Sequence, residues 1–187
     1  MDFEWIKLGY KLLFDSKARF HLLGYRPDVI CFVKSTDAES KYLLIVPEQD
    51  HSIWIPPQEG IEINETIEMA ALRCLKTELG LANEQVYFRR SFWAGNRRLP
   101  QSRWGERDLP HSIRGWLGKE HMIGKAYYGA SIVVSGGATI NPTPTEVYKS
   151  EWVSKDEFLD RIKSNDPTKA EILLNACKRI YGWTINQ

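Results

Sequence analysis

The sequence predicts an α+β domain in which a mixed, curved β-sheet lies between helices. Many of its segments are rich in the β-branched and aromatic residues typical of strands. The predicted order is helix, strands, helix, several strands and then helices, which lacks the regular alternation of a doubly wound parallel sheet. The length of 187 residues fits a single domain, residues 1–187, with a core of about residues 24–163.

Helices are predicted at both ends of the chain. Residues 2–14 place apolar side chains at helical spacing, which indicates an amphipathic helix that packs across the domain or binds a partner. Ser154, followed three residues later by Glu157, has the pattern of a capping box and predicts a helix over residues 154–163. A last helix is predicted over residues 168–181.

Strands are predicted between these helices. The first two are separated by a short polar loop, so we expect them to form a hairpin. Residues 94–111 have no clear periodicity and are rich in arginine, tryptophan, proline and glycine, which predicts a long loop. The predicted strands are 28–34, 42–46, 86–92, 113–117, 127–135 and 151–153.

Composition excludes several classes of protein. No apolar run reaches the roughly 18 residues of a transmembrane helix, and the N-terminus lacks the pattern of a secretory signal. Three widely spaced cysteines argue against a disulfide framework or a zinc site, so a cytoplasmic location is expected. The net charge of +1 provides no global attraction for nucleic acid, and DNA is not an expected partner. The oligomeric state is left open.

The most informative stretch runs from Trp54 to Leu81. A proline-rich turn and a loop lead into a predicted helix over residues 65–79, which Gly80 ends. A loop followed by a helix with acidic groups on one side can hold divalent cations against a polyphosphate. The carboxylates are Glu59, Glu62, Glu65, Glu68 and Glu78, with Arg73 among them.

The predicted helix has two different faces. Leucines at positions 72, 75 and 79, with Met69 adjacent, form a stripe that is expected to face the core. The side chains that lie away from this stripe are available to a functional site. They are Arg73, Cys74, Thr77 and Glu78.

The spacing of this stretch resembles the Nudix box, G-x5-E-x7-R-E-U-x-E-E-x-G-U, in which U is aliphatic. Glu65 lies eight residues before Arg73, and Glu78 and Gly80 fall at the expected positions. The chain departs from the pattern at three places. Glu59 replaces the box glycine, Cys74 replaces the glutamate after the arginine, and Thr77 replaces the first glutamate of the E-E pair.

Four collinear segments resemble one branch of the family, the bacterial RNA 5′-pyrophosphohydrolases and asymmetric dinucleoside polyphosphate hydrolases. Residues 24–29 match G-Y-R-P-x-V, and residues 54–61 are similar to W-x-F-P-Q-G-G-I. Residues 123–125 and 145–153 are similar to the later segments I-G-Q-x and P-E-F-x-x-W-x-W-V. The resemblance, over about residues 24–160, implies a Nudix fold and Mg or Mn as cofactor. It also implies a nucleoside polyphosphate or an RNA 5′ end as partner.

The same resemblance implies roles for individual residues. Glu78, Glu146 and Arg73 are the expected catalytic group, with Glu78 and Glu146 as candidate metal ligands. Glu59, where the family pattern has a glycine, is a further candidate ligand because its own carboxylate could swing into the site. Arg73 orients Glu65 and Glu78 by ion pairing or contacts the substrate, and Glu146 is either part of the site or a surface residue. The expected substrate-binding residues are Arg26, Gln58, Lys125, Arg97 and Arg98.

The sequence leaves the roles of three further features open. Cys74 is an inert buried thiol or a nucleophile, and Trp54 is a packing residue or a platform for a base. The arginine- and tryptophan-rich segment 89–114 binds phosphates and bases or is a solvated loop. Three functions are compatible with the pattern: a metal-dependent pyrophosphohydrolase, a nucleotide-binding or regulatory module without turnover, and a protein-interaction domain acting through the terminal helices.

Overall fold

The computed structural model describes residues 20, 23–37, 39–62, 64–100, 105–106, 121–136 and 138–184. The helix expected at residues 2–14 and the strand expected at 113–117 lie outside these residues. The same holds for most of the arginine- and tryptophan-rich segment beyond residue 100. Within the described part of the chain, no helix is long and apolar enough to cross a membrane.

A six-stranded mixed sheet forms the centre of the fold, with helices on both sides, which confirms the α+β class. Its strands are β1 Tyr25–Ser35, β2 Tyr42–Pro47, β3 Gln58–Gly60, β4 Val86–Arg98, β7 Gly124–Val134 and β8 Val147–Val153, and a separate small pair joins β5 Gly105–Glu106 with β6 His121–Met122. The main path of the sheet follows the order β4-β7-β1-β2-β8, and β3 pairs with β1 beside this path. Among the described strand pairs of this sheet, β1–β7 is parallel and the others are antiparallel.

The expected hairpin of the first two strands is confirmed, with Lys34 of β1 opposite Tyr42 of β2. The prediction of a loop from residue 94 is wrong over residues 94–98, which continue β4 to Arg98 opposite Gly124 of β7. Two irregularities of register, next to Phe88 and next to Gly95, interrupt the alternation of this strand. They hide the period of two by which a strand is predicted.

The short third strand has no counterpart among the strands that the sequence predicts. Residues 58–60, expected to be part of a loop, pair antiparallel with the first half of β1, where Glu59 lies opposite Val29. Backbone hydrogen bonds extend this attachment, because Cys31 N donates to the carbonyl of Pro57 and Ile61 N donates to that of Pro27. The loop that carries the box is therefore fixed to the centre of the sheet.

Three α-helices are described. Helix α1, Ile67–Leu79, begins two residues later than predicted, because Thr66 caps it by accepting a hydrogen bond from Met69 N. Gly80 ends it in the left-handed conformation at φ 65°. Helix α2, Lys155–Lys163, has the expected capping box of Ser154 and Glu157. Helix α3, Pro167–Tyr181, is capped by Asp166.

The sheet separates two apolar clusters. One lies between the sheet and α1, and the other lies between the sheet and the pair α2/α3. Leu75 and Leu79 face the first cluster as expected, but the expectation for Met69 is wrong, because its side chain is 54% exposed. Ala71 and Cys74 are fully buried instead. The core-facing stripe of α1 is thus rotated toward the box positions.

Candidate functional site

Arg73 holds together the two ends of the acidic stretch. Its Nε and Nη2 donate to the two carboxylate oxygens of Glu65 at 2.8 and 2.7 Å. Nη2 also donates to the carbonyl of Gly60 at 2.8 Å, and Nη1 pairs with the carboxylate of Glu59. These bonds raise the pKa of the guanidinium, Glu65 contributing most. The expected ion pair of Arg73 with Glu65 is present, whereas among the described side chains its second carboxylate partner is Glu59 and not the expected Glu78.

Glu59, which stands where the family has a glycine, reaches α1 from β3. Its carboxylate pairs with Arg73, and the hydroxyl of Thr77 lies 3.5 Å from its second oxygen. Burial raises the pKa of Glu59, and the adjacent Arg73 opposes that rise. The side chain therefore stands beside the site as a candidate metal ligand, and Arg73 already neutralises part of its charge.

Glu78 is the least solvated carboxylate of the box. It is 8% exposed, and its Oε2 has no hydrogen-bond partner among the described atoms. Burial, and then the charge of Glu59, raise the pKa of Glu78 to about 8; a hydrogen bond from Cys74 opposes this, and Glu146 adds to the rise. At pH 7 the carboxyl of the free protein mostly keeps its proton, so a cation placed here would compete with that proton.

The segment that carries Glu146 is fastened to the end of α1. The backbone amides of Asn141 and Thr143 donate to the carbonyls of Leu79 and Glu78, each at 2.9 Å. The hydroxyl of Thr143 donates to the carbonyl of Thr77. Glu146 itself is exposed and follows within the same turn. The orphan carbonyls at the helix end thus bind the late segment, which brings Glu146 close enough to raise the pKa of Glu78.

The two substituted ligand positions point elsewhere. The thiol of Cys74 is fully buried, and burial together with the nearby Cys31 raises its pKa well above the usual value, so an inert thiol fits better than a nucleophile. The hydroxyl of Thr77 donates to the carbonyl of Arg73 at 2.9 Å. Neither side chain replaces the carboxylate that the family pattern has at its position.

The donor set fits a metal site of low ligand number. Within the described ranges, no group of three or more histidine, cysteine, aspartate or glutamate side chains is arranged to hold a metal ion. The buried Oε2 of Glu78 nevertheless has no hydrogen-bond partner among the described atoms, and a divalent cation could take the place of the proton on this carboxyl. Mg²⁺ accepts one or two protein carboxylates when waters and phosphates complete its shell. Glu78 and Glu146 therefore stay candidate ligands for one divalent ion rather than for a cluster of ions.

Basic side chains gather on the opposite face of the sheet. Arg97 of β4 lies opposite Lys125 of β7, which in turn lies opposite Arg26 of β1, so the three share one face. Asp28 is buried beneath them; it accepts a hydrogen bond from Arg26 Nε at 2.8 Å and forms an ion pair with Lys125 at 2.7 Å. We call Arg26, Lys125 and Arg97 the basic row.

The structure brings four of the five predicted substrate-binding residues together. Gln58 joins the basic row through β3, which pairs with β1. Arg98 follows Arg97 directly in β4, so the alternation of the strand turns its side chain to the other face. Trp54 lies elsewhere: Arg161 and Lys149 stack on its ring, with the guanidinium carbon of Arg161 4.3 Å from the ring centroid. This contact favours packing over the role of a base platform.

Sequence reasoning missed Lys169 of α3. Its ammonium donates to Gln58 Oε1 at 2.7 Å and lies 3.8 Å from the centroid of the Tyr127 ring, and the side chain is 5% exposed. A signal for it exists in the sequence. Lys169 precedes Ile172, Leu173 and Ala176 by three, four and seven residues, so it occupies the apolar face of the helix. A lysine there needs a buried partner.

The strand β3 connects the two charged groups. Glu59 reaches toward α1, whereas Gln58 contacts Lys169 of α3. Gly60 lies between guanidinium groups, because its carbonyl accepts from Arg73 and a Cβ there would lie 2.8 Å from Arg26 Nε. The two charged groups therefore contact neighbouring residues of one three-residue strand.

The comparisons with known proteins agree with this fold. A family model of the NUDIX domain matches residues 24–175, so the chain belongs to the NUDIX domain family. Isopentenyl-diphosphate Delta-isomerase from Dictyostelium discoideum is 27% identical over 128 residues, which cover 65% of this chain and 46% of that protein. The chain therefore spans about half the length of this curated relative.

Solved structures share the fold. The C. elegans Ap4A hydrolase in a binary complex has a TM-score of 0.57 at 13% identity, with 84% of this chain and 99% of that chain covered. The NUDIX domain of Shewanella oneidensis NrtR, in a complex with ADP ribose, has a TM-score of 0.54 at 13% identity, with 83% and 88% covered. Identities this low show a common fold alone.

Proposed function

We propose that this protein is a divalent-metal-dependent pyrophosphohydrolase acting on a nucleoside polyphosphate, either a dinucleoside polyphosphate or the triphosphate end of an RNA. One observation carries the proposal. A buried, unpartnered carboxylate oxygen on α1 and a row of basic side chains on the other face of the sheet meet at a three-residue strand. A polyphosphate needs both a cation site and arginine or lysine donors, and β3 contacts both groups.

The chain's own residues supply three parts of the reaction. The basic row binds the phosphate oxygens and fixes the substrate at the edge of β3. Arg73 keeps Glu59 and the box loop in place. Glu146, exposed beside Glu78, is either the base or a second ligand of the metal ion; as the base it accepts the proton of the attacking water while a new bond forms from this water to phosphorus and the anhydride bond breaks. Mg²⁺ or Mn²⁺ held by Glu78 would neutralise charge on the phosphate oxygens.

The relatives support a substrate with linked phosphates. The name of the Dictyostelium relative refers to a diphosphate, and that of the C. elegans protein refers to Ap4A, a dinucleoside polyphosphate. The shared chemical feature is a phosphoanhydride. The resemblance of the four sequence segments favours hydrolysis of this bond over isomerisation elsewhere in the substrate.

The test is release of phosphate-containing products from Ap4A and from a 5′-triphosphorylated RNA, with Mg²⁺ and with Mn²⁺. We expect slow turnover, because only Glu78 remains of the three box glutamates. Glu78→Gln should abolish this turnover, whereas Glu84→Gln, on the exposed turn after α1, should leave it unchanged. Inactivity with both metals and both substrates, or full activity of Glu78→Gln, would contradict the proposal.

A second candidate is a NUDIX-fold module that binds a nucleotide without turnover. The buried thiol of Cys74 and the inward hydrogen bond of Thr77 favour it, because both remove a carboxylate from the box. The structure of the Shewanella domain with ADP ribose is an example of ligand binding by this fold. Thermal stabilisation by a nucleoside polyphosphate without any product would favour this candidate; turnover in the same sample would reject it.

A further inference from the structure

The buried lysine of α3 needs a physical explanation. Lys169 is almost fully removed from water, yet its closest polar partner is the neutral amide oxygen of Gln58. No carboxylate of the described residues lies within 4 Å of its ammonium. A buried cation with a neutral partner is costly unless another group of opposite charge is supplied.

The surroundings of Lys169 carry more positive than negative charge. Lys125 and Arg97 face it from β7 and β4, and Arg26 lies in the same row on β1. The acids are Asp28 of β1 and Asp166 at the start of α3. Both are already engaged, Asp28 by Arg26 and Lys125, and Asp166 by Arg97 at 2.8 Å. Among the described residues, with Lys169 protonated, four cations stand against two acids, and two positive charges lack a counter-charge.

The position of Lys169 relative to the carboxylates suggests how a ligand could balance this excess of positive charge. Its partner Gln58 directly precedes Glu59, which faces the α1 side. A diphosphate held beside Glu78 would leave Lys169 on the far side of β3. A third phosphate would extend across this edge toward the basic row. Gln58 is only half-buried, so rotation of its side chain would release the ammonium to a phosphate oxygen.

We infer that Lys169 is a specificity-determining residue which, together with Arg26 and Lys125, binds the third phosphate of a polyphosphate and so selects triphosphates over diphosphates. This inference rests on the proposed use of the same site for nucleoside polyphosphates. In the complex the ammonium donates to a phosphate oxygen in place of Gln58 Oε1. The excess charge of the cluster is then balanced by the ligand.

The protonation of Lys169 makes the selection depend on pH. Burial, followed by the charge of Lys125, lowers the pKa of Lys169 to about 7; Asp28 and Asp166 raise it, and Arg97 lowers it. Near neutral pH the free protein therefore holds both forms. An anion favours the charged form, so the preference for a third phosphate should weaken as the pH rises from 6 to 8.

The experiment measures binding by calorimetry in EDTA, with inorganic tripolyphosphate and pyrophosphate as probes. The variants are Lys169→Met, Lys169→Arg and, as a matched control, Lys178→Met at an exposed position of the same helix. We expect the wild-type protein and Lys178→Met to prefer tripolyphosphate. Lys169→Met should reduce this preference by about tenfold, the value of one charge-assisted hydrogen bond. Lys169→Arg should retain it at pH 8, where the wild type loses part of it.

Several outcomes would overturn the inference: no binding of tripolyphosphate to the wild type, equal affinity for both probes, or an unchanged preference in Lys169→Met. Because the ionisation of the probes also changes with pH, the preference of the wild type is divided by that of Lys169→Arg at each pH. The ionisation of the probes affects both proteins equally and drops out of this ratio. Folding is not expected to interfere, because methionine replaces a buried charge with an apolar chain of similar length. A circular dichroism melt of each variant verifies this.

The result is separable from that of the hydrolysis assay. Loss of preference in Lys169→Met without hydrolysis by the wild type would keep this inference and reject the proposed reaction. Hydrolysis by the wild type with an unchanged preference in Lys169→Met would keep the reaction and reject the role of Lys169.

Discussion

The two faces of the sheet at β3 carry charged groups of opposite balance. On the α1 face, Arg73 pairs with Glu59 and Glu65, and Glu78 stands beside Glu59 without an ion pair among the described residues. On the α3 face, the basic row and Lys169 surround Asp28 and Asp166. The first face has an excess of acid and the second an excess of base. The excess negative charge of the first face can be balanced by a proton or a cation. The excess positive charge of the second face can be balanced by an anion.

This difference distinguishes the ion-paired side chains that stabilise the fold from the side chains whose charge is balanced only when a ligand binds. On the α1 face, the ion pairs of Arg73 consume two carboxylates and leave Glu78 to be neutralised by a proton. On the α3 face, the two arginines keep their protons, whereas burial favours the neutral form of Lys169, so the remaining positive charge needs an anion. The acid face therefore responds to metal and pH, whereas the basic face responds to anions.

The largest expected effect is the loss of Arg73. Arg73→Met leaves Glu59 and Glu65 facing each other without a cation and removes the bond to the carbonyl of Gly60. Breaking such a half-buried network should lower the free energy of unfolding by about 2–4 kcal/mol. Urea unfolding at pH 7 measures it. Lys76→Met, at an exposed position of the same helix, should change it by less than about 0.5 kcal/mol. An equal effect of both variants would contradict the role of Arg73.

Replacement of Glu78 should have the next largest effect on stability. Whereas Arg73→Met lowers the free energy of unfolding, Glu78→Gln should raise it relative to wild type as the pH increases. Its folded pKa of about 8 lies above the ordinary value of 4.5, so the folded protein retains a proton that the unfolded chain releases. Without metal, stability should therefore fall as the pH rises from about 4.5 to 8. Glutamine does not titrate, so the variant Glu78→Gln does not lose this stability as the pH rises. The stability of the variant minus that of the wild type should therefore increase over that range by about 2 kcal/mol or more, since each unit of pKa difference corresponds to about 1.4 kcal/mol.

Thermal unfolding in EDTA at pH 5 and pH 8.5 tests this prediction. Glu84→Gln, exposed after α1, is the control, and its difference from wild type should stay constant with pH. A constant difference for Glu78→Gln as well would mean that Glu78 is ionised in the free protein. The acid face would then be closer to an ordinary solvated site.

The α1 face is predictable from the sequence in part. The spacing of Glu65, Arg73 and Gly80 locates the helix and its end, since these are local signals of capping and charge along one element. The pairing of Glu59 with Arg73 does not follow from the sequence. It depends on β3 lying against β1, and strand register is set by contacts far apart in the chain.

On the α3 face, too, contacts between residues far apart in the chain do not follow from the sequence. The resemblance supplies Arg26, Gln58, Lys125 and Arg97 one by one, and their convergence follows only from the register across the strands. Lys169 lies more than 100 residues from Gln58 in the chain. Its position on an apolar helix face marks it as unusual, but no local pattern reveals which partner it meets.

Removing Asp28 tests whether the basic row is held by its buried acid. Asp28→Asn leaves Arg26 and Lys125 without their counter-charge, but both are partly exposed and regain water. The free energy of unfolding should fall by about 1–2 kcal/mol, less than for Arg73→Met. Asp156→Asn, exposed in α2, is the control. Added tripolyphosphate should restore more stability to Asp28→Asn than to wild type, since the anion replaces the lost charge. Equal restoration would separate Asp28 from the binding row.

The smallest effect is expected away from β3, where Arg161 pairs with Glu151 and stacks on Trp54. The two guanidinium bonds to Glu151, at 2.9 and 3.1 Å, and the pair with Lys149 lower the pKa of that carboxyl to about 2. The pair is open to solvent, so Arg161→Met should cost only about 0.5–1 kcal/mol at pH 7. Because the pKa of Glu151 is lowered on folding, its contribution is complete above pH 4.5 and lost as the pH falls toward 2. Urea unfolding at pH 7 and pH 3 should show a smaller difference between variant and wild type at the lower pH. A difference that persists at pH 3 would assign the effect to the stacking on Trp54, which does not depend on the protonation of Glu151.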